Sequence, residues 1–274
     1  MQPIKRAVVC PPTHFRIIEP INPVEAMVLE SGIKVDSNRA MEEHRTFVDT
    51  LKAEGVDVIT MQPSPGLPEQ VFIRDVGIGL KEKLLLGHMR KEIRRNEVDA
   101  AQRFLEGKVK IAGRVNDGFL EGGDYVLLPD GTACCGIGRS NVEGVTILEK
   151  HLKRPVIKIP VKEAFVHFSG LISVVGDHVC VACLEALPKW FAEFLMKKFD
   201  VIEVGLEEEE RLLYSACNVL SLDGEKVISF PQNCRVNEEL KRRGFDVLEV
   251  EISEILKGGG GFTCLVLLLN QNAF

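Results

Sequence analysis

Apolar runs of strand length, joined in pairs by turn residues, recur along this chain. In "EGGDYVLLPDGTACCGIGR" (121–139) two such runs flank a Pro-Asp-Gly turn and read as a β-hairpin, bracketed by a Glu/Asp pair and an Arg. Related stretches begin at Phe72 ("FIRDVGIGLKEKLLLGH"), Phe119, Phe168 ("FSGLISVVGDHVCVAC"), Ser215 ("SACNVLSLDGEKVISF") and Phe262 ("FTCLVLLLN"), at steps of 47, 49, 47 and 47 residues. Asp-Gly or Gly-Asp in the middle of copies two to four suits the positive φ of a tight hairpin; the first copy has Lys81-Glu82-Lys83.

Helical patterns over 97–105, 142–152, 187–199 and 237–243 separate the hairpins. Each leads into a β-branched run: "KVKIAG", "PVIKIP", "DVIEVG" and "DVLEVEI". A fifth helix, over 38–53, precedes "VDVIT". Self-similarity at a fixed period marks a repeat architecture. The last unit stops after "FTCLVLLLN", without its second hairpin strand and helix, and the chain opens on a lone strand, "RAVVCP". Joining the two ends completes a fifth unit. The expected fold is therefore α/β: a five-bladed αβ-propeller of ββαβ-type repeats about a pseudo-fivefold axis, closed by the termini, with residues 1–274 as one domain. In such a ring the residues at the start of each hairpin meet at the axis. These are Asp75, Glu121 with Asp124, His167, Asn218 and Cys264.

Composition narrows the classes. A net charge of −6, with Lys and Arg dispersed, argues against nucleic acid and anionic membrane as partners. The densest basic cluster, "RKEIRRNE" (90–97), is interrupted by acids and reads as a solvated helix start. The N-terminal apolar run is too short for a signal peptide, and no stretch approaches the roughly 18 apolar residues of a membrane span. A soluble cytoplasmic protein is expected, and its eight Cys read as free thiols. Cys180 and Cys183 have the spacing of a metal half-site. On a strand, however, an offset of three points them to opposite faces, so a core role is expected.

Convergence of a Cys, a His and carboxylates suggests thiolate catalysis. Cys264 follows "GGGGF", where glycines permit close backbone approach or positive φ. His167 is the only His at an equivalent loop, and Glu121 is placed to orient it as the third member of a triad does. Asp75 and Asp124 then require a cation, and with few His or Cys ligands in phase an organic cation is favoured over a metal.

"FIRD", "EGGD", the isolated "HF" and "GGGGFTC", in this order, resemble the guanidine-modifying enzymes of the pentein fold: dimethylarginine dimethylaminohydrolases, arginine deiminases and amidinotransferases. "HFRIIEPINP" resembles the family's opening segment. The resemblance implies Cys264 as nucleophile, His167 as general acid/base and Glu121 as its partner. It implies Asp75 as the guanidinium-pairing carboxylate, with Asp124 closing the EGGD motif. Arg139, and Arg94 or Arg95 on a mobile loop, would hold the substrate's α-carboxylate. It further implies C–N hydrolysis of methylated arginine or arginine through a covalent thiouronium, giving citrulline and an amine or ammonia. No cofactor and no metal is expected, the partner is a small guanidino amino acid, and a homodimer is consistent with the resemblance. Ser169 departs from the pattern, since deiminases and amidinotransferases have Asp there and dimethylarginine hydrolases normally Lys. The alternatives are amidino transfer from arginine and a non-catalytic binding protein of the same fold.

Overall fold

The structure, a computed structural model, describes residues 2–213 and 215–269. It contains five three-stranded sheets. The first is β3 (Gly77–Leu80), β4 (Lys83–Leu86) and β5 (Lys110–Arg114); the second is β6 (Tyr125–Leu127), β7 (Ala133–Ile137) and β8 (Ile157–Pro160). The third is β9 (Ile172–Val174), β10 (Val179–Ala182) and β11 (Asp200–Glu203); the fourth is β12 (Leu220–Ser221), β13 (Lys226–Ser229) and β14 (Asp246–Glu249). The fifth unites both ends of the described chain: β15 (Leu267–Leu268) pairs antiparallel with β1 (Arg6–Val9), which pairs parallel with β2 (Asp57–Thr60). In every sheet the middle strand is antiparallel to one neighbour and parallel to the other.

A parallel pair needs a crossover, and a helix supplies it in each unit: α2 (Ser37–Ala53), α3 (Arg95–Leu105), α4 (Val142–Leu152), α5 (Lys189–Lys198) and α7 (Cys234–Arg242). Local chemistry sets their starts. Asp36 accepts from the Asn38 and Arg39 amides, and Asn141 from the Gly144 amide. Helices and neighbouring sheets cover the middle strands on both faces. Leu84, Leu85 and Leu86 are therefore all fully buried, as are the adjacent Cys134 and Cys135. The third strands, such as β2 and β14, are half exposed.

Consecutive sheets touch. The His88 amide donates to Leu120 O, the Phe168 amide to Asp124, Ser221 Oγ to Val175 O and the Ile4 amide to Leu222 O. β15 lies against β3 so closely that a Cβ on Gly79 would stand 2.1 Å from Leu268 O. The crossover helices match the sequence reading to within a residue or three at their ends. Hairpin chemistry matches in part: Gly131 and Gly224 have positive φ, and Lys81 takes that role in the first hairpin, but Gly176 does not. The sequence reading missed α1 (Pro23–Glu30), α6 (Leu206–Arg211) and α8 (Ser253–Leu256), and the one-turn 3-10 segments before four of the hairpins. "RKEIRRNE" is not a solvated start throughout, because Arg94 and Glu97 are buried.

Gly79→Ala should lower stability by about 3 kcal/mol or more, because backbone must shift to admit the methyl. Gly66→Ala, where nothing lies within 4 Å, should stay within about 0.5 kcal/mol. Urea unfolding of the two variants beside the parent measures both.

Candidate active site

The short segments that precede the hairpins bring the chemistry together. Ile73–Val76, Gly122–Asp124, Phe168–Gly170 and Phe262–Leu265 are single 3-10 turns, and residues 215–218 form a turn in the fourth unit. Each carries or directly follows a predicted site residue. Their packing depends on glycine. A Cβ on Gly122 would stand 2.2 Å from Arg74 O, and one on Gly123 would stand 2.6 Å from Asp75 Oδ1 and 2.7 Å from the His167 ring. The Gly pair of "EGGD" is thus a condition for seating His167 beside Asp75. In "GGGG", Gly259 has positive φ, Gly258 and Gly260 make room for the Phe72 ring, and Gly261 makes room for Asn218.

His167 is buried. Its Nε2 donates to Glu121 Oε2 at 2.6 Å, and its Nδ1 lies 3.6 Å from Asp75 Oδ1. Burial opposes the imidazolium, but Asp75, the Glu121 hydrogen bond and Asp124 outweigh it and raise His167 above its ordinary 6.5. Burial alone would raise the Glu121 carboxyl; the hydrogen bond and charge of His167, with Arg139 and Arg94, hold it down to about 2. The other Glu121 oxygen accepts the Arg90 amide at 2.8 Å.

Asp75 is shared. Oδ1 accepts the Gly123 amide and Oδ2 takes Arg94 Nη1 at 2.7 Å. Arg94 also forks onto Glu97 and donates to Phe72 O. It therefore lies not on a mobile loop but inside the protein, where it fixes Asp75. Arg95 points elsewhere, over the Phe119 ring and beside Glu92, half exposed. Asp124 is also placed behind the centre: its oxygens accept the Ser140 and Phe168 amides, so it ties the second unit to the loop of His167. Arg139 does reach the centre. Nη2 donates to Ile21 O, while the buried Nη1, 3.9 Å from Glu121, has no hydrogen-bond partner.

Cys264 is buried, and Asn218 Nδ2 donates to its Sγ at 3.3 Å. Asn218 Oδ1 also accepts from the amide and hydroxyl of Thr263, so one side chain holds the whole turn. Burial raises the thiol pKa and the charge of Asp75 adds to it; Asn218, Arg74 and the Gly261 contact pull the other way without overcoming them. Sequence reasoning missed Glu25 and Glu69, both buried with one unpartnered oxygen. Burial raises both carboxyls, opposed in Glu25 by Arg94 and Arg139 and in Glu69 by Arg94. Glu25 carried a signal: Asn22 caps α1 and Glu25 answers it by accepting the Ile21 amide, much like a capping box.

Asp75, Glu121 and His167 also offer ligand atoms within 4.8 Å of one another, the only such group among the described residues. Two donors on one zinc-sized ion, each about 2.0–2.2 Å from it, sit roughly 3 Å or more apart. The 2.6 Å His167–Glu121 contact fits a shared proton.

Residues 12–270 match the family described as N,N dimethylarginine dimethylhydrolase, eukaryotic. The chain belongs to this family. With it comes membership of the guanidine-modifying enzymes of the pentein superfamily. The uncharacterized protein YkgA of Bacillus subtilis is 32% identical, over 97% of this chain and 92% of its own. The N(G),N(G)-dimethylarginine dimethylaminohydrolase of Pseudomonas aeruginosa is 29% identical, over 85% and 90%. Among solved structures, the substrate-bound N-terminal domain of ArgZ, a cyanobacterial arginine dihydrolase, superposes with a TM-score of 0.86 at 22% identity, covering 98% of this chain and 99% of that one. The Pseudomonas aeruginosa enzyme with citrulline gives 0.80 at 21%, covering 97% and 99%. At these identities the superpositions show the fold.

The His167–Glu121 pair makes a pH prediction. Glu121, held down to about 2, contributes stability above its ordinary 4.5 and loses it as pH falls through 2. His167, held above 6.5, contributes below 6.5 and loses it as pH rises through its folded value. Glu121→Gln should therefore cost most, about 3 kcal/mol, between roughly pH 4.5 and 6.5, with the gap to the parent closing on both sides. Denaturant titrations across pH measure it; a gap that does not vary with pH refutes the pairing.

Proposed function

We propose that this protein is a hydrolase of a guanidino amino acid, with Cys264 as nucleophile. The five sheets would form a five-bladed propeller, one catalytic domain closed by the β15–β1 pair. The observation that carries the reading is the buried row Arg94–Asp75–His167–Glu121 beside an Asn218-bound thiol. Family membership supports it, as do relatives named for dimethylarginine and arginine hydrolysis. No helix among the described residues is long and apolar enough to cross a membrane.

In the proposed reaction Asp75 receives the guanidinium, with Arg94 holding the carboxylate in place. A cation there cancels the charge of Asp75 and draws the buried thiol toward thiolate, so substrate activates its own nucleophile. Sulfur adds to the guanidinium carbon, and the imidazolium of His167 gives its proton to the departing amine. Neutral His167, oriented by Glu121, then takes a proton from water as the hydroxyl adds to the thiouronium carbon. Collapse expels the thiolate and leaves the ureido product. Arg139, whose Nη1 makes no hydrogen bond, would hold the α-carboxylate, and Glu25 would accept from the α-ammonium. Ser169 supplies no second carboxylate for the guanidinium. A substituted nitrogen is therefore tolerated, and dimethylarginine is preferred to arginine as substrate.

Incubation with arginine, monomethylarginine, dimethylarginine, agmatine and simpler guanidino acids, with products read by mass spectrometry, tests the reading. Citrulline from dimethylarginine without an added amine acceptor is the expected result. An amidino product seen only with an acceptor means transfer instead. Cys264→Ser should abolish turnover at little cost in stability, and Arg139→Ala should raise KM about 10-fold or more, with a smaller effect on kcat. Near-normal kcat in Cys264→Ser overturns the mechanism.

A further inference from the structure

A cavity of about 840 Å³ opens at a rim of mixed charge, with Lys5, His178, Asp177 and the Lys198–Asp130 pair, and ends on a floor of Arg74, Ser169 and Thr263. Asp75, His167 and Cys264 are not among its lining residues; their chain neighbours Arg74 and Thr263 are. The cavity thus lies beneath the same 3-10 turns that carry the active-site groups, and its walls are first strands of the hairpins, through Val126, Ile172 and Leu220.

Its floor is chemically unfinished. Arg74 is buried; Nη2 donates to Tyr125 O at 2.8 Å, while Nε is buried without a partner. No carboxylate pairs with this guanidinium among the described residues, and its neighbour Asp75 is committed to Arg94. Ser169 and Ser173, both more than nine-tenths buried, line the same space, and their hydroxyls are unpartnered as well. A buried guanidinium without a paired carboxylate is costly, and an arginine and two serines lining one cavity suit an anion. One guanidinium balances one negative charge, which suits a carboxylate better than a phosphate, and apolar walls in a cavity of this size suit an aliphatic body.

We propose that this cavity binds a small organic carboxylate, its head on Arg74, Ser169 and Ser173 and its tail between the strands. Occupation is felt at Cys264. Thr263, the chain neighbour of Cys264, lines the cavity together with Arg74, whose charge favours the thiolate, so an anion that neutralises Arg74 makes the sulfur less reactive. This second step rests on the thiol chemistry proposed above; the binding step does not.

Calorimetric titration with sodium hexanoate is the test. Saturable one-to-one binding is expected, with none from hexylammonium and none comparable from inorganic phosphate. Arg74→Gln and the cavity-filling Ser173→Leu should each weaken binding at least tenfold, and Arg139→Ala should leave it unchanged. Ser173→Leu, checked for folding by circular dichroism, decides the matter if Arg74→Gln does not fold. No binding, equal binding to Ser173→Leu, or loss of binding only in Arg139→Ala overturns the site. Saturating hexanoate should slow iodoacetamide labelling of Cys264, read by peptide mass spectrometry, by at least about threefold, equivalent to half a pK unit on the thiol. Unchanged labelling beside confirmed binding overturns the coupling alone. Absence of citrulline production beside confirmed binding counts against the catalytic reading and not against the cavity.

Discussion

The structure of the centre depends on one buried carboxylate, Asp75, held between an arginine and a histidine from different parts of the fold. Taking these charges out of water costs several kcal/mol per ion, and only close geometry and satisfied lone pairs offset it. Asp75 meets that condition: Arg94 takes one oxygen and the Gly123 amide the other, with His167 on the same side. Arg94 is in turn neutralised by Glu97 from the next turn of its helix. The helix of the first unit therefore fixes a carboxylate for the imidazole of the third, and the glycines of the second make the space between them.

That arrangement ties fold to site through backbone proximity. The segments before the hairpins approach so closely that side chains cannot stand between them: Gly122 faces two carbonyls of the first unit, Gly123 faces Asp75 and His167, and Gly261 faces Asn218. Charged groups are then bridged by backbone amides, as Asp124 is by Ser140 and Phe168. A side chain with both oxygens occupied in this way positions its neighbours, and Asp124 holds the loop that carries His167.

Much of this was legible in the sequence, for identifiable reasons. Middle strands covered on both faces read as continuous apolar runs, and crossover helices carry the 3.6-residue period, so the repeat was visible at the level of pattern. The single 3-10 turns were not, since one turn is too short to show any period; "FIRD" and "FTCL" looked like strand starts. Arg94 and Glu97 looked solvated because a pair three residues apart on a charged helix start is the ordinary surface motif. Their burial follows from Asp75, 19 residues away, which local pattern cannot report. The pairing of β15 with β1 was legible only as an incomplete last unit and a lone first strand.

The balance of charge around Asp75 limits what can bind there. Glu25, Glu69, Asp75, Glu97 and Glu121 are buried in one network with Arg94, Arg139 and His167, so acids outnumber bases even with His167 protonated. Such a cluster favours added positive charge, and burial raises the carboxyls of Glu25, Glu69 and Glu97, the last to about 7. In the proposed reading a guanidinium and an ammonium on one ligand would supply that charge, and the carboxylate of the same ligand would meet Arg139 Nη1, which makes no hydrogen bond. A dicationic amine lacking the carboxylate would leave Arg139 Nη1 without a hydrogen-bond acceptor, and a neutral urea supplies no charge at all. In the proposed reaction the same imbalance that would attract a cationic substrate would release the uncharged ureido side chain after hydrolysis, so the site would discriminate substrate from product by charge before shape is considered.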